Sequence, residues 1–314
     1  MASTKDLRKR IGSVKSTQQT TKAMKMVSAA KLRRAQEAIH QQRPYARRVG
    51  ALIRFLSSLQ ETAAISPLIK KDRAQKQGEE GGSEQRKKKI FLVLVTSDRG
   101  LCGGFNSNVI KAAHHWMMES QSNYEVELGF VGKKAYDVYK RRKVNLGPHY
   151  SDLGGKVTFL KARKLSETLI SKFLSEEVDE IKIIYNEFKN AMSQKVVVED
   201  FLPLQGELLQ VPAQSAENHS TEQETPPDVY LFKPSAEGVL RQLLEKNFAI
   251  QAFRILLESQ AAEHGARMSS MENATKNADE MIRKLTLLYN KQRQAGITKE
   301  LLEIIGGSES QKAS

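Results

Sequence analysis

Gly100, Gly103 and Gly104 fall in the stretch TSDRGLCGGFN (96–106), directly after the apolar run IFLVLV (90–95) and ahead of a helical pattern over 106–120. A glycine-rich turn between the carboxyl end of a strand and a helix N-terminus is where α/β nucleotide enzymes hold phosphate, because unpaired amides and the helix dipole converge there. The spacing fits neither GxGxxG nor GxxxxGK followed by Ser or Thr, and the region around Glu119, where a ribose-binding acid would be sought, lies inside the helix. The turn therefore reads as a tight strand-to-helix connection. Cys102, the sole cysteine, needs a neighbouring base to act as a nucleophile; no Cys–His spacing supplies one, and it reads as a small buried thiol. His114 and His115 are adjacent on a helix and point apart, while His40, His149, His219 and His264 stand alone, which is no metal-ligand set. No catalytic residue, cofactor site or metal site is expected.

The elements around this loop define a domain. After the strand at 90–95 and the helix at 106–120, strands are read at 126–131, 181–185 and 195–202, and helices at 133–141 and 162–175. Strands alternating with helices predict a small Rossmann-like α/β domain over 90–204 with a largely parallel sheet. The charged, glycine-containing stretch 63–89 reads as a linker, and the polar stretch 205–234, with Pro226 and Pro227, as a loop. One cysteine excludes an internal disulfide and suits a reducing compartment. The N-terminus MASTKDLRKRIGSVK has no apolar core of signal-peptide length, and no run of ~18 apolar residues spans a bilayer. Attachment to a membrane is expected only through partners.

The two ends of the chain are helical. Residues 235–305 contain no proline, and Leu240, Leu243, Ile250, Leu257, Ala261, Met268, Met271, Ala278, Ile282, Leu285 and Tyr289 recur at spacings that keep one face. His264 falls on that stripe as a polar, register-setting position. Residues 1–62 show the same period through Leu7, Ile11, Val14, Thr21, Met24, Ser28, Leu32, Ala35, Ile39, Ala46, Val49, Ile53 and Leu56. Pro44 is expected to kink this helix without stopping it. Two such stripes predict an antiparallel two-helix coiled coil, with the α/β domain inserted between its strands of sequence. Gly306 and Gly307 are expected to end the second helix, leaving 306–314 as a flexible tail.

Charge is unevenly placed. Of a formal net charge of +14, residues 1–60 hold six lysines and eight arginines against only Asp6 and Glu37, whereas 236–305 hold ten basic against nine acidic residues. A basic helix fits an acidic protein surface or a nucleic acid. Stacking aromatics, which a nucleic-acid groove uses, are limited in 1–60 to Tyr45 and Phe55. A basic coiled-coil nucleic-acid-binding protein and a phosphate-binding α/β enzyme are the alternatives to a coiled-coil assembly subunit.

LRKRIGSVKSTQQTTKAMKMVSAAKLRRAQ near the N-terminus, TSDRGLCGGFN in the middle and EHGARMSSMENATKNADEMIRKLTLLYNKQRQAGITKELLEIIGG near the C-terminus together resemble the gamma subunit of the bacterial F-type ATP synthase, in order and at near full length. The resemblance implies a central rotor shaft that couples c-ring rotation to conformational change in the catalytic beta subunits, without chemistry of its own. Its partners would be the alpha, beta and epsilon subunits and the c-ring, with no nucleic acid, at the cytoplasmic face of the bacterial inner membrane. The same resemblance assigns Met24, Lys25, Arg33 and Arg34, with Arg293, Gln294 and Thr298, to contacts with beta. It places Leu301, Leu302, Ile304 and Ile305 in the apolar sleeve at the top of the bore, and Tyr230, Phe232 and Lys233 at the foot that meets epsilon and the c-ring. Lys233 stands where relatives carry an acid, and Gly265 and Gly296 where alanine is common; each glycine costs a helix up to ~1 kcal/mol unless packing compensates.

Overall fold

The computed structural model describes residues 4–58, 68–69, 87–120, 124–142, 144–153, 157–191, 193–204 and 235–312. In chain order the elements are α1 (Thr4–Ser58), β1 (Lys88–Val95), α2 (Phe105–Ser120), β2 (Tyr124–Val131), α3 (Lys133–Tyr139), β3 (Leu146–Tyr150), a single 3-10 turn, α4 (Phe159–Leu174), β4 (Glu180–Phe188), β5 (Gln194–Leu202) and α5 (Ala236–Lys312). They form two compact units, one of 1–30 with 267–314 and one of 31–266. The division falls inside α1 and α5 and not at their ends. The sequence-based boundaries assigned whole helices to the coil, but residues 49–56 of α1 and 240–256 of α5 share a core with the sheet.

In the larger unit the strand order is β3-β2-β1-β4-β5. β1 pairs in parallel with β2 and β4, β2 in parallel with β3, and β4 antiparallel with β5. The run IFLVLV is buried on both faces because helices cover both. Phe91, Val93 and Val95 point into a core shared with α4, with Val49, Ile53 and Leu56 of α1, and with Leu240, Leu244 and Phe248 of α5. Leu92 and Leu94 point the other way, onto Val109 and Ala113 of α2 and Ala135 and Tyr139 of α3. The outcome is three layers, with one face of the sheet applied to the paired helices. Gly129 is required within it, since a Cβ there would lie 2.4 Å from Cζ of Phe91.

Three local features depart from the sequence reading. β3, where no strand was read, contains Pro148, and it is an edge where a missing N–H costs no ladder bond. α4 begins at Phe159, three residues before the expected start, because the Thr158 hydroxyl accepts from the Lys161 amide and caps the helix. Residues 68 and 69, read as linker, join the sheet end, where Leu204 N–H donates to the Leu68 carbonyl at 2.8 Å and Ile69 bridges Leu204. The rest of 63–86 and the loop 205–234 lie outside the described residues.

α1 runs through Pro44 as one helix, as expected. α5 runs through Gly306 and Gly307 to Lys312, correcting the expected stop and the flexible tail from 306. Glycine taxes a helix without forbidding it, and no proline follows to end it. In the larger unit no residue of α5 from 247 to 266 is exposed, because α1 and the sheet cover it from different sides. Gly265 lies in this covered stretch, where a Cβ would meet the Ala191 carbonyl oxygen at 3.2 Å; at Gly296 a Cβ would meet nothing within 4 Å. Gly265 thus permits close approach, and Gly296 only weakens its helix.

Two stability measurements test this packing. Gly296→Ala is expected to stabilise the purified chain in urea by about 0.5–1 kcal/mol, whereas Gly265→Ala gains nothing net or loses stability; equal gains at both would refute the difference in packing. Glu258 on α5 has one carboxylate oxygen 3.5 Å from Arg254 Nη1 and the other buried without a partner. Burial outweighs the attraction of Arg254, and Glu187 and Glu199 add to it, so the carboxyl titrates above the usual range. A folded state that holds this proton more tightly than the unfolded chain loses the corresponding stability as pH rises through the Glu258 titration. The Tm of Glu258→Gln should therefore improve relative to the parent as pH is raised from the ordinary glutamate range to neutrality; parallel Tm curves would contradict it.

Candidate functional site

The smaller unit is a two-helix coil whose register is set by polar contacts. Gln18 Nε2 donates to Asp279 Oδ1 at 2.9 Å, the hydroxyls of Thr21 and Thr275 lie 2.8 Å apart, and Lys25 Nζ is 3.2 Å from Glu272 Oε1. Rising numbers on α1 meet falling numbers on α5, so the pair is antiparallel. Leu7, Thr21 and Ser28 are buried on α1, and Met271 and Ala278 on α5. Gln18 occupies the gap that the apolar pattern left between Val14 and Thr21, and in the larger unit Gln42 fills the gap between Ile39 and Ala46, donating to the Ile250 carbonyl at 2.8 Å. Both were missed because a search for apolar side chains passes over them; their seven-residue phase was the available signal.

The residues singled out from the sequence are distributed as follows. Met24 and Lys25 are half-buried in the smaller unit. Lys25 is engaged within the chain, and its hydrogen bond and charge, with a further contribution from Lys276, hold the Glu272 carboxyl below its ordinary range. Glu272 was not picked out by the sequence reading. Met26 and Val27, beside Lys25, are exposed. Arg33 and Arg34 lie in the larger unit, both exposed, and Arg33 Nε donates to Glu37 Oε1 at 3.0 Å. Tyr230, Phe232 and Lys233 lie outside the described residues.

On α5 of the smaller unit the covered stripe continues through Ile282, Leu285, Tyr289 and Gln292, and then every residue from 293 to 305 is exposed. Arg293, Gln294 and Thr298 are in that exposed stretch, and the Thr298 hydroxyl donates to the Gln294 carbonyl at 3.0 Å. Leu301, Leu302, Ile304 and Ile305 are exposed by 52, 64, 70 and 51%. Four aliphatics within five residues, on more than one face of a helix with no cover, constitute an apolar surface that water does not favour.

The glycine-rich loop is spent on its own structure. Ser97 N–H donates to Asn106 Oδ1 at 3.0 Å, Ser97 Oγ to the Arg99 carbonyl at 2.6 Å, and Asn106 Nδ2 to Cys102 Sγ at 3.2 Å. Leu101 and Gly103 take positive φ, 63° and 56°, to close the turn. Cys102 and Phe105 pack against Ala262 and Ala266 of α5, with Phe188 alongside, so the loop docks the carboxyl end of the sheet onto the long helix. A cavity of about 420 Å3 lined in part by Met117, Met118, Tyr124 and Arg142 opens at the opposite, amino end of β2, and cavity and loop do not combine into a nucleotide site. Among the described residues no group of three His, Cys, Asp or Glu is placed to hold a metal ion, and no helix is long and apolar enough to cross a membrane.

A family model described as ATP synthase matches residues 3–310. The chain is 44% identical over 313 residues to an ATP synthase gamma chain of Geotalea uraniireducens, covering 99% of this chain and 100% of the relative. It is 43% identical, with the same coverage, to that of Geobacter metallireducens. Among solved structures, a chain of the Euglena gracilis mitochondrial ATP synthase (OSCP/F1/c-ring) superposes with a TM-score of 0.62 at 21% identity, over 99% of this chain and 95% of that one. A chain of the Tetrahymena thermophila mitochondrial ATP synthase central stalk and c-ring gives 0.52 at 25% identity, over 81% and 99%. Paired terminal helices, a sheet inserted between them in sequence, and these full-length matches agree: the chain belongs to the gamma-chain family of F-type ATP synthase, the subunit of the central stalk.

Proposed function

We propose that the chain is the non-catalytic rotor of its complex, turned from below by the c-ring and forcing the catalytic beta subunits through successive conformations. The observation that carries this is the bare end of α5. Residues 293–305 are exposed all round and carry Ile297, Leu301, Leu302, Ile304 and Ile305. Burial of each such side chain is worth roughly 1.5–3 kcal/mol, and a helix apolar on several faces is satisfied by a sleeve that surrounds it. A ring of alpha and beta subunits supplies such a sleeve. Exposed Arg33 and Arg34, and Arg293 with Gln294, are the polar groups available to beta. To do work on beta, the shaft must contact its conformations unequally, because only differential binding shifts an equilibrium. Epsilon and the c-ring are the proposed partners of the foot at Tyr230, Phe232 and Lys233, and the membrane is met through the ring, at the cytoplasmic face of the bacterial inner membrane. The nucleic-acid alternative rests on the basic first helix alone and finds no support in the relatives matched.

Copurification is the direct test: tagged chain should bring down alpha and beta subunits, and recovery of nucleic acid in their place would overturn the reading. Two variant sets separate the roles of the α5 end. Changing Leu301, Leu302, Ile304 and Ile305 to Ser should reduce the yield of assembled complex by about tenfold or more while sparing ATPase per complex. Arg293→Ala with Gln294→Ala should assemble and turn over slowly, and the reverse pattern would exchange the two roles.

Lys25 serves either its own coil or beta, and a charge swap distinguishes them. Lys25→Glu with Glu272→Lys restores the pair within the chain but reverses the sign presented to acidic loops of beta. The single Lys25→Glu variant should impair ATP-driven proton pumping, and the double variant should remain impaired. Full recovery in the swap would assign Lys25 to the coil alone.

A further inference from the structure

The rotor reading leaves unused a polar cluster between α5 and the sheet. Arg254 lies in the covered stretch of α5, and its guanidinium is shared among several acceptors. Nη2 donates to Glu199 of β5, Nη1 to the Tyr185 hydroxyl of β4 at 3.1 Å, and Nε to Gln251 at 2.9 Å, with Glu258 Oε1 3.5 Å from Nη1. Tyr185 donates in turn to the second Glu199 oxygen at 2.8 Å. A closed ring of three hydrogen bonds thus joins the helix to both strands of the antiparallel ribbon.

Beside this ring α5 shares an apolar core with the sheet, with Phe248 against Phe201 at 5.5 Å between ring centroids and Ile255 and Leu256 in the same core. Apolar packing resists separation, but no single contact within it sets an angle as a hydrogen-bonded fork does. A one-residue slip rotates a helix by about 100° and advances it by about 1.5 Å, which breaks a guanidinium fork outright. Burying such an ionic group adds little stability over well-packed apolar residues of similar volume, so stability alone gives no reason for it.

We propose that Arg254, with Glu199 and Tyr185, is a torsional lock: a positioning residue that fixes the rotational register of α5 on the sheet, so that helix and α/β domain turn as one body without slip. The lock rests on the central-stalk reading and names the joint that keeps the α/β domain and the long helix turning together under load. Lysine keeps the charge but not the planar fork, so Arg254→Lys restores the lock only in part.

The test uses the assembled synthase in vesicles and single-molecule bead rotation on the same complex. Arg254→Met should assemble at parental yield with parental ATPase per complex, while protons pumped per ATP and the torsional stiffness of the stalk each fall by about twofold or more, with Arg254→Lys intermediate. Parental stiffness and pumping ratio in Arg254→Met overturn the lock. Should Arg254→Met not assemble, Tyr185→Phe removes one hydroxyl and one link of the ring, and parental stiffness in that variant overturns the lock equally. An unmutated complex that does not rotate overturns the central-stalk reading itself, and the lock with it.

Discussion

Side chains spaced alternately three and four residues apart on α1 and α5 leave water together only when the helices run antiparallel in one register, and the other features of the chain are arranged around that seam. The seam is narrow, one stripe on each helix, so each helix retains faces that need other cover. In the unit of 31–266 the sheet supplies it, and α5 from 247 to 266 has no exposed residue. In the unit of 1–30 with 267–314 the two helices cover one another, and from 293 to 305 every residue is exposed. One helix therefore passes from complete cover to none, and the uncovered end carries the aliphatics that a surrounding ring would bury.

The seam includes polar groups where aliphatics would give more stability. Gln18, Gln42 and the Thr21–Thr275 pair each form a bond across it. Such groups cost stability relative to leucine but penalise every register except one. A shaft under load gains from that choice, since an all-leucine seam holds several registers at similar energy. Around Met24 the same helix shows Thr, Ala, Ser and exposed Met26 and Val27, a surface without large interlocking side chains.

The α/β domain has the outline of a nucleotide fold, yet its glycine-rich loop has another task. Where a phosphate-binding loop leaves amides free, this one bonds Ser97 N–H to Asn106 and places Cys102 and Phe105 on Ala262 and Ala266 of α5. Small residues on the helix and a tight turn on the sheet bring two backbones close, and Gly265 does the same against Ala191. The loop is a docking element for the long helix, and fold likeness alone did not settle that.

Much of this was legible in the sequence, because periodicity reports which faces of an element meet water. The stripes of both long helices, the doubly buried run at 90–95, the alternation of strands and helices and the uneven charge are local properties of the chain, and the structure keeps them. The unread parts depend on neighbours distant in sequence. Pro148 is tolerated only because β3 is an edge, and residues 68 and 69 join the sheet only because Leu204 lies beside them. The glycines at 306 and 307 do not end α5, because a propensity of about 1 kcal/mol is a tax and not a veto. Lys25 meeting Glu272, and Arg254 meeting Glu199 and Tyr185, join residues 247, 55 and 69 positions apart. Sequence determines which residues avoid water; which polar groups meet while doing so is decided by packing, since a hydrogen bond or ion pair depends on distance and angle that only the folded chain supplies.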